Sequence, residues 1–520
     1  QVSRTGRNLL ASGLARKRKL GRKNQWEITP RGHQALGAQE ATIRIESHPD
    51  VLHRLAEQVV ESGGGDLAPG APTVFSSRIL QTILTAERSL TPRQIASHTG
   101  LAKRSVTLAA NLLTDRGYLR PMSNGDENQE DVPLSVNDGR YCAIGINVLR
   151  DRITGVVTDL HAEVLRTRDC SLLSYEPAAV VSAIADLVAD LRRSAPGEPE
   201  LPPCIVGLGV ELGGHVDGGS GEVVDSPNFG WKHVELGSWL HGTTGLETVV
   251  ENDVNALAVH EILFGSAIAA RWFAAVAIDD GVGCGLVCEG QLLRGSSGAA
   301  GEFGHIVIDP AGPACRCGNV GCVEAFASTR AIVEAIAAEG VSLGSFEDAA
   351  ELANSGNDVA RSVFVAAGDA VGRALSILLN LTDPGRVLIA VPEALAVPDT
   401  PAASCFEKAL RDAIGRHAFA SLRASRIDIR HLPSRDLYSG RGAAASVLRR
   451  FVNRPLAWRP SATSLGMSPP APPRRRRVAQ TTGRSEREER RPISESIVLE
   501  GTDAESDPLG VLTEQLASLI

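Results

Sequence analysis

The chain has 520 residues, of which 43% are hydrophobic and 22% charged, with a formal net charge of −8. Two or three folding units are expected, because a single domain usually holds about 100–200 residues. No apolar run reaches the ~20 residues of a membrane helix and no signal peptide opens the chain, so a cytoplasmic protein is predicted. Its nine cysteines fit a reducing compartment better than a disulfide framework.

The first forty residues carry nine Lys or Arg against two acids. Residues 9–14, a basic turn, residues 26–32 and Leu36 follow a helix, hairpin, helix pattern. This pattern resembles the N-terminal winged-helix module of Mrr-type restriction proteins, although residues 1–40 hold only half of such a domain. A basic disordered arm is the alternative. Residues 41–72, which include three successive glycines, predict a linker.

A winged helix-turn-helix domain is predicted over residues 73–136. Thr91 is a capping residue type directly before Pro92, and Gly100 is suited to end the second helix. A polar stretch, 121–131, followed by a short strand would form the wing. The three predicted helices span residues 76–85, 92–98 and 103–116.

This predicted domain is basic, since seven Lys or Arg accompany two acids between Arg78 and Arg120. A DNA-binding module can concentrate positive charge even in an acidic chain. Recognition helices place their N-terminal residues in the major groove. A small helical bundle with solvated charges is the alternative interpretation. The candidate DNA-binding residues are Lys103, Arg104, Ser105 and Thr107.

From residue 137 to 455 the pattern changes to that of an α/β domain. Residues 177–193 have the apolar spacing of a helix, and three short apolar runs around them predict strands. Residues 459–495 are rich in Pro, Ser and Arg, so a disordered tail is predicted over 456–520. The predicted strands span residues 143–146, 153–158 and 204–210.

One imidazole and three thiols occur within eighteen residues in the middle of this domain. A Cys₃His set is a usual ligand set for tetrahedral Zn²⁺, and glycines between the ligands allow a short loop to fold back on the metal. A chance cluster of cysteines is the alternative. The predicted ligands of a structural zinc ion are His305, Cys315, Cys317 and Cys322.

The stretch 281–328 around these ligands resembles the signature of the ROK (repressor, open reading frame, kinase) family, and the resemblance extends over about residues 137–450. It implies an α/β, two-lobed, actin-like (ribonuclease H-like) sugar-kinase fold behind the winged helix-turn-helix domain. Members of the family are either sugar kinases or transcription factors that sense sugars.

The resemblance also implies a sugar site. By its match to the family, Asp253 would be the general base in a kinase, because that residue takes the proton of the attacking sugar hydroxyl. Capping of the helix over 254–263 by Asn252 or Asp253 is the structural alternative. The residues implied to bind the sugar are Asn252, Asp253, Glu302, His305 and Glu324.

The phosphate loops of ROK kinases are degenerate here, so ATP and Mg²⁺ are not expected to bind. The first loop, Asp-x-Gly-Gly-Thr in kinases, is Asn-Val-Leu-Arg-Asp at 147–151, and residues 388–392 lack the Gly-rich adenosine contact. Asp280 replaces a threonine in the second loop and would repel polyphosphate. That loop keeps three glycines, namely Gly281, Gly283 and Gly285.

Together these features predict a sugar-responsive transcriptional regulator, a repressor of carbohydrate genes with a structural zinc ion and a degenerate ATP site. Its expected partners are operator DNA and a sugar or sugar phosphate, and a homodimer or homotetramer is expected because helix-turn-helix units read paired half-sites. The alternative is an ATP-dependent ROK sugar kinase that uses Asp253. A scaffold protein that binds nucleic acid without a sugar is a third interpretation.

Overall fold

The computed structural model of the protein describes residues 15–20, 23–28, 71–86, 88–122, 132–268, 270–419, 427–431 and 435–455. Strands β1 (Ala15–Leu20) and β2 (Lys23–Ile28) pair antiparallel, so a hairpin lies where the sequence predicts one. The relationship of residues 1–40 to a winged helix stays a prediction. The helices predicted beside this hairpin, most of the linker and the tail over 456–520 lie outside the described residues.

Three helices and a two-stranded sheet follow the predicted winged helix-turn-helix pattern. Thr91 caps the second helix, because its hydroxyl oxygen accepts from the Gln94 backbone N–H. The Gln94 side-chain oxygen in turn accepts from the Thr91 backbone N–H at 2.9 Å. Gly100 ends the helix at φ 68°, in the left-handed region that glycine adopts without strain. The elements are α1 (Ala71–Leu84), α2 (Pro92–Thr99), α3 (Lys103–Asp115), β3 (Leu119–Pro121) and β4 (Leu134–Val136).

The first lobe is a five-stranded sheet in the order β12-β8-β5-β6-β7. Strands β5, β8 and β12 are parallel, and β6 and β7 are antiparallel to their neighbours. A three-stranded sheet, β9 to β11, extends the lobe. The elements are β5 (Tyr141–Val148), β6 (Arg152–Thr158), β7 (Val164–Ser171), α4 (Pro177–Arg192), β8 (Cys204–Leu212), β9 (His215–Asp217), β10 (Glu222–Ser226), β11 (Trp231–Val234), α5 (Leu236–Thr244) and β12 (Thr248–Asn252).

The second lobe has a sheet in the order β15-β14-β13-β16-β17, with β13, β16 and β17 parallel. Two helices, α6 (Asp253–Leu263) and α13 (Arg435–Asn453), lie between the lobes. The elements are α6 (Asp253–Leu263), β13 (Trp272–Ile278), β14 (Val282–Cys288), β15 (Gln291–Leu292), a 3₁₀ turn (Phe303–His305), α7 (Glu324–Ala327), α8 (Thr329–Ala338), α9 (Phe346–Asn354), α10 (Asp358–Thr382), β16 (Arg386–Val391), α11 (Glu393–Ala396), α12 (Pro401–His417), β17 (Ile427–His431) and α13 (Arg435–Asn453).

Helix α10 is long and apolar enough to cross a membrane by length and composition alone, and no other helix in the described ranges passes that test. Within the fold, 61% of its most apolar 18-residue window is buried. Phe364, Val371 and Leu375 are fully buried in the core of the second lobe. The burial is that of a core helix in a globular domain.

Helix α13 packs against the first-lobe sheet at glycines. A Cβ on Gly145 would lie 1.9 Å from the carbonyl oxygen of Gly440, and a Cβ on Gly209 would lie 1.8 Å from that of Ala443. Any side chain at these two positions would push the helix off the sheet. Because α13 also contacts α6, it joins the sheet of the first lobe to the cleft between the lobes.

The winged helix-turn-helix domain shares one hydrophobic core with the first lobe and α13. The Tyr118 ring lies 5.1 Å from the ring of Tyr141 on β5 and 5.1 Å from that of Phe451 on α13. Leu80 and Leu113 are fully buried in the same cluster. A shift of α13 therefore repacks the winged domain, because close-packed cores transmit displacements.

Candidate metal centre, interlobe cleft and DNA-binding surface

The predicted metal ligands meet at one point of the second lobe. One ligand atom from each of the four residues lies within 4.8 Å of all the others. Cys315 Sγ is 3.6 Å from His305 Nδ1, and Cys317 Sγ is 3.7 Å from Cys322 Sγ. Ligands about 2.3 Å from a tetrahedral ion are about 3.8 Å apart, so the spacing suits Zn²⁺.

The local backbone explains how so short a loop closes on itself. Gly321 has a φ of 74°, and a Cβ there would lie 1.5 Å from the carbonyl oxygen of Asp309. An isolated bridge between Val307 and Cys322 brings the last thiol back beside the 3₁₀ turn that carries His305. Only glycine allows this crossing, so the loop geometry depends on Gly321 as much as on the ligands.

The donor set fits a cation. Burial raises the pKa of Cys322 to about 12, and hydrogen bonds with Cys317 and Cys315 and their charge repulsion add to the rise. A cation among the three thiols would favour their ionised forms. His305 directs Nδ1 toward the thiols, and its Nε2 is 3.8 Å from a carboxylate oxygen of Glu302. One imidazole thus links the metal ligands to the cleft.

Asn252 and Asp253 stand where β12 ends and α6 begins. Asn252 caps α6, because its Oδ1 accepts from the backbone N–H of Val254 and Asn255 at 3.0 and 3.1 Å. Its Nδ2 donates to the carbonyl of Gly214 and to Asp253 Oδ1. Capping, the structural alternative for this pair, is therefore present for Asn252, which also orients the exposed Asp253 carboxylate.

Glu324 lies at the loop that begins β14. Its carboxylate accepts from the backbone N–H of Val282 at 3.1 Å, and a Cβ on Gly281 would lie 3.0 Å from the same carboxylate oxygen. In a phosphate loop this N–H would face an anion. The exposed Asp280 carboxylate, which accepts from the Thr329 hydroxyl at 3.2 Å, adds negative charge at the loop.

Two of the three glycines retained in this loop have a packing role. A Cβ on Gly283 would lie 2.7 Å from a methyl of Val254, and a Cβ on Gly285 would lie 2.7 Å from the Val254 carbonyl oxygen. Both residues belong to β14, which packs on α6. The close approach of strand and helix excludes side chains here, whether or not a phosphate binds.

Glu211 is a cleft residue that the sequence analysis missed. It lies one residue before the end of β8, is fully buried, and pairs in register with Asn147 of the degenerate first loop. Neither carboxylate oxygen has a hydrogen-bond partner among the described residues. Burial raises the pKa of Glu211 well above its usual range, and the Asp253 carboxylate adds to the rise. A Glu inside an otherwise apolar strand was the available signal.

Two contacts connect the lobes across the cleft. Arg294, after β15, forms an ion pair with the fully buried Glu251 at the end of β12. The His215 Nε2 atom lies 2.6 Å from the Ser297 carbonyl oxygen. The loop that follows β15 is thereby held against the first lobe, beside the residues implied to bind a sugar.

Helix α3 presents most of the predicted DNA-binding residues at the surface. Lys103 and Arg104 are exposed and Thr107 is half-buried. Ser105 was predicted with them, but the structure buries it at 9% exposure. Ser105 lies one helical turn before the buried Ala109, so it is on the core face of the helix. Leu108 is exposed at 43% instead.

The ROK family model matches residues 143–449. The chain is 27% identical to a xylose repressor of Bacillus spizizenii over 325 residues, which are 61% of this chain and 83% of the relative. It is 26% identical to the DNA-binding transcriptional dual regulator NagC of Escherichia coli over 317 residues, 57% of this chain and 75% of the relative.

Solved structures show the same fold. A ROK family transcriptional regulator described as a homologue of the E. coli MLC protein matches with a TM-score of 0.64 and 23% identity, over 74% of this chain and 98% of the other. A ROK hexokinase from Thermus thermophilus matches with a TM-score of 0.50 and 25% identity, over 59% of this chain and 97% of the other.

Proposed function

Because the chain belongs to the ROK family, we propose that it is a transcriptional regulator whose affinity for operator DNA responds to a sugar or sugar phosphate bound between its lobes. Two of its relatives are named xylose repressor and N-acetylglucosamine repressor, which points to a pentose or an N-acetylhexosamine as ligand and to repression of carbohydrate genes. A cytoplasmic location and a homodimer or homotetramer belong to the same proposal, since paired helix-turn-helix units read paired half-sites.

The shared core of the winged domain, first lobe and α13 is the observation that carries this function. Phe451 of α13 touches Tyr118 of the winged domain, while the N-terminal half of α13 lies against the cleft residue Glu211 at Gly442. A ligand that changes the angle between the lobes would move this helix and the recognition helices with it. A hundredfold preference of the ligand for one state shifts the balance by about 2.7 kcal/mol.

The metal centre would hold a structural zinc ion through His305, Cys315, Cys317 and Cys322. Four protein ligands leave no open position, so a bound Zn²⁺ would supply folding stability and no Lewis-acid chemistry. The residues themselves orient the pocket: the 3₁₀ turn fixes His305, which stands beside Glu302. Glu302, Glu324, Asp253 and Asn252 complete the proposed sugar site.

The test is enrichment of sheared genomic DNA from the source organism by the full-length protein at near-physiological salt, with and without a sugar mixture. Salt is kept there because non-specific phosphate binding weakens steeply with ionic strength. Discrete sites whose occupancy changes with sugar are the expected result. Diffuse enrichment that ignores sugar would reject the proposal.

A sugar kinase is the second candidate, and the exposed Asp253 at the cleft favours it. A kinase would release ADP from ATP in the presence of one sugar of a panel, and Asp253→Ala would abolish that release. The acidic second loop and the buried Asn147 argue against this activity.

A further inference from the structure

On the outward face of α3, Leu108 is the one large apolar side chain that is exposed. Val106, Ala109 and Leu113 are buried in the core. Leu108 points away from that core and is exposed at 43%. It follows the exposed Arg104 by one helical turn, so the two side chains are neighbours on one surface.

Thr107 and the exposed Asn111 are polar neighbours of Leu108 on this face, and Thr107 already uses its hydroxyl. Its Oγ1 donates to the Lys103 carbonyl oxygen at 3.1 Å, within the helix. This bond leaves the hydroxyl poorly placed to donate to a base. The middle of the exposed face therefore offers DNA an apolar contact, flanked by the basic residues of the helix start.

The major groove displays a single apolar group, the C5-methyl of thymine, and apolar side chains contact it directly. We propose that Leu108 is a specificity-determining residue that packs on a thymine methyl, one helical turn beyond the position read by Arg104. The inference rests on the proposed DNA-binding function and adds to it a contact with one specific base. The surrounding charge supports DNA as the occupant of this face, since the domain carries seven cations and two acids between Arg78 and Arg120.

The experiment replaces thymine by uracil, which removes the methyl group and no hydrogen-bonding atom. Binding sequences are first selected from random duplex DNA by the full-length protein. Each thymine of the selected duplex is then replaced singly by uracil and the affinity is measured. We expect one thymine per bound recognition helix at which the affinity falls about four-fold, the equilibrium equivalent of burying one methyl group.

Leu108→Ala should remove this thymine preference while it still binds the selected duplex. Arg104→Ala should weaken thymine and uracil duplexes by the same factor, so the preference survives. Leu173→Ala is the matched control, because Leu173 is a leucine exposed at 94% in the first lobe, before α4, and it should behave as the unaltered protein.

Three outcomes separate the inference from the function. If the protein selects no DNA sequence, both the proposed DNA-binding function and the Leu108 contact are rejected. A selected site that tolerates uracil at every thymine would overturn the methyl contact and keep the DNA-binding function. Uracil sensitivity that persists in Leu108→Ala would assign the methyl contact to another residue and overturn the role of Leu108.

Discussion

The two halves of the interlobe cleft have different chemistry. On one side, which is the half proposed to bind the sugar, Asp253, Glu302 and the Cys₃His loop supply polar groups that are held by local contacts. On the other side the nucleotide loops carry Asp280, and Glu211 lies beside Asn147 with no hydrogen-bond partner among the described residues. Both halves of the cleft belong to the same fold, so they differ in chemistry because of the side chains that line them and not because of the backbone architecture.

The glycines of the second loop show why the nucleotide half still looks partly intact. Gly283 and Gly285 lie against Val254 of α6, where a Cβ would clash. Packing alone is thus enough to require them. A glycine pattern inherited from a phosphate loop is evidence for phosphate binding only where the backbone N–H groups remain available, and Glu324 accepts the one at Val282.

Loss of the metal ligands should have the largest effect. Cys315→Ser with Cys317→Ser should lower the bound zinc from about one ion per chain to none and reduce the free energy of unfolding by on the order of 5 kcal/mol, because zinc binding is coupled to folding. Sugar binding should be lost with it. Elemental analysis and thermal unfolding measure both effects.

Cys405→Ser is the matched control, since this free thiol lies on α12, away from the metal loop. It should retain zinc and stability. Absence of zinc from the unaltered protein, or a double variant that loses its zinc and keeps the same thermal stability, would mean that the loop closes without a metal.

The sugar half can be tested next at Asp253. Asp253→Ala should weaken sugar binding by about 1.5–3 kcal/mol, the usual range for a hydrogen bond to a charged group. Calorimetric titration with xylose, glucose and N-acetylglucosamine measures the loss. Asp358→Ala, at the remote first turn of α10, is the control. An unchanged affinity in Asp253→Ala would move the sugar out of this half of the cleft.

The sequence was sufficient wherever the determining contacts are local. Thr91 and Gly100 predict the ends of α2 from neighbouring residues alone, and both caps are present. The Cys₃His spacing predicts the metal loop for the same reason. The burial of Ser105 also follows from local spacing, since it lies one helical turn before Ala109 on the core face of α3.

Features that depend on distant parts of the chain could not be predicted. Glu211 is buried because β5 lies beside it in the sheet and α13, more than two hundred residues later, covers it at Gly442. The Arg294–Glu251 ion pair joins the two lobes, and no spacing in the sequence predicts it. Such contacts require the topology before the partner of a side chain can be named.

The ionisation of Glu211 makes protein stability depend on pH, which tests the half of the cleft that holds the degenerate nucleotide loops. Its pKa is raised in the folded state, so the folded protein binds the extra proton and the charged form opposes folding. Stability should fall as the pH rises above the ordinary value of 4.5. Glu211→Gln should remove this dependence and stabilise the protein at neutral pH by about 1–3 kcal/mol, because the amide cannot ionise and so never buries a charge next to Asp253.

Unfolding by denaturant between pH 4.5 and pH 8 measures the difference. The variant and the unaltered protein should have similar stability at the acid end and diverge toward neutral pH. Glu222→Gln is a control of the same chemistry, because Glu222 is partly exposed and lies 2.8 Å from His233. A constant difference across the pH range would mean that Glu211 keeps one protonation state throughout.

The smallest expected effect is that of nucleotide. With Asp280 and Glu324 at the second loop, Mg²⁺-ATP at 1 mM should stabilise the protein by less than about 0.1 kcal/mol, which corresponds to a dissociation constant above about 5 mM. The sugar that binds best should give a clear thermal shift in the same assay. A nucleotide shift of comparable size, with ADP release that depends on Asp253, would show that the acidic loop admits phosphate. The second loop would then bind nucleotide despite its departures from the kinase sequence, and the kinase would become the better description.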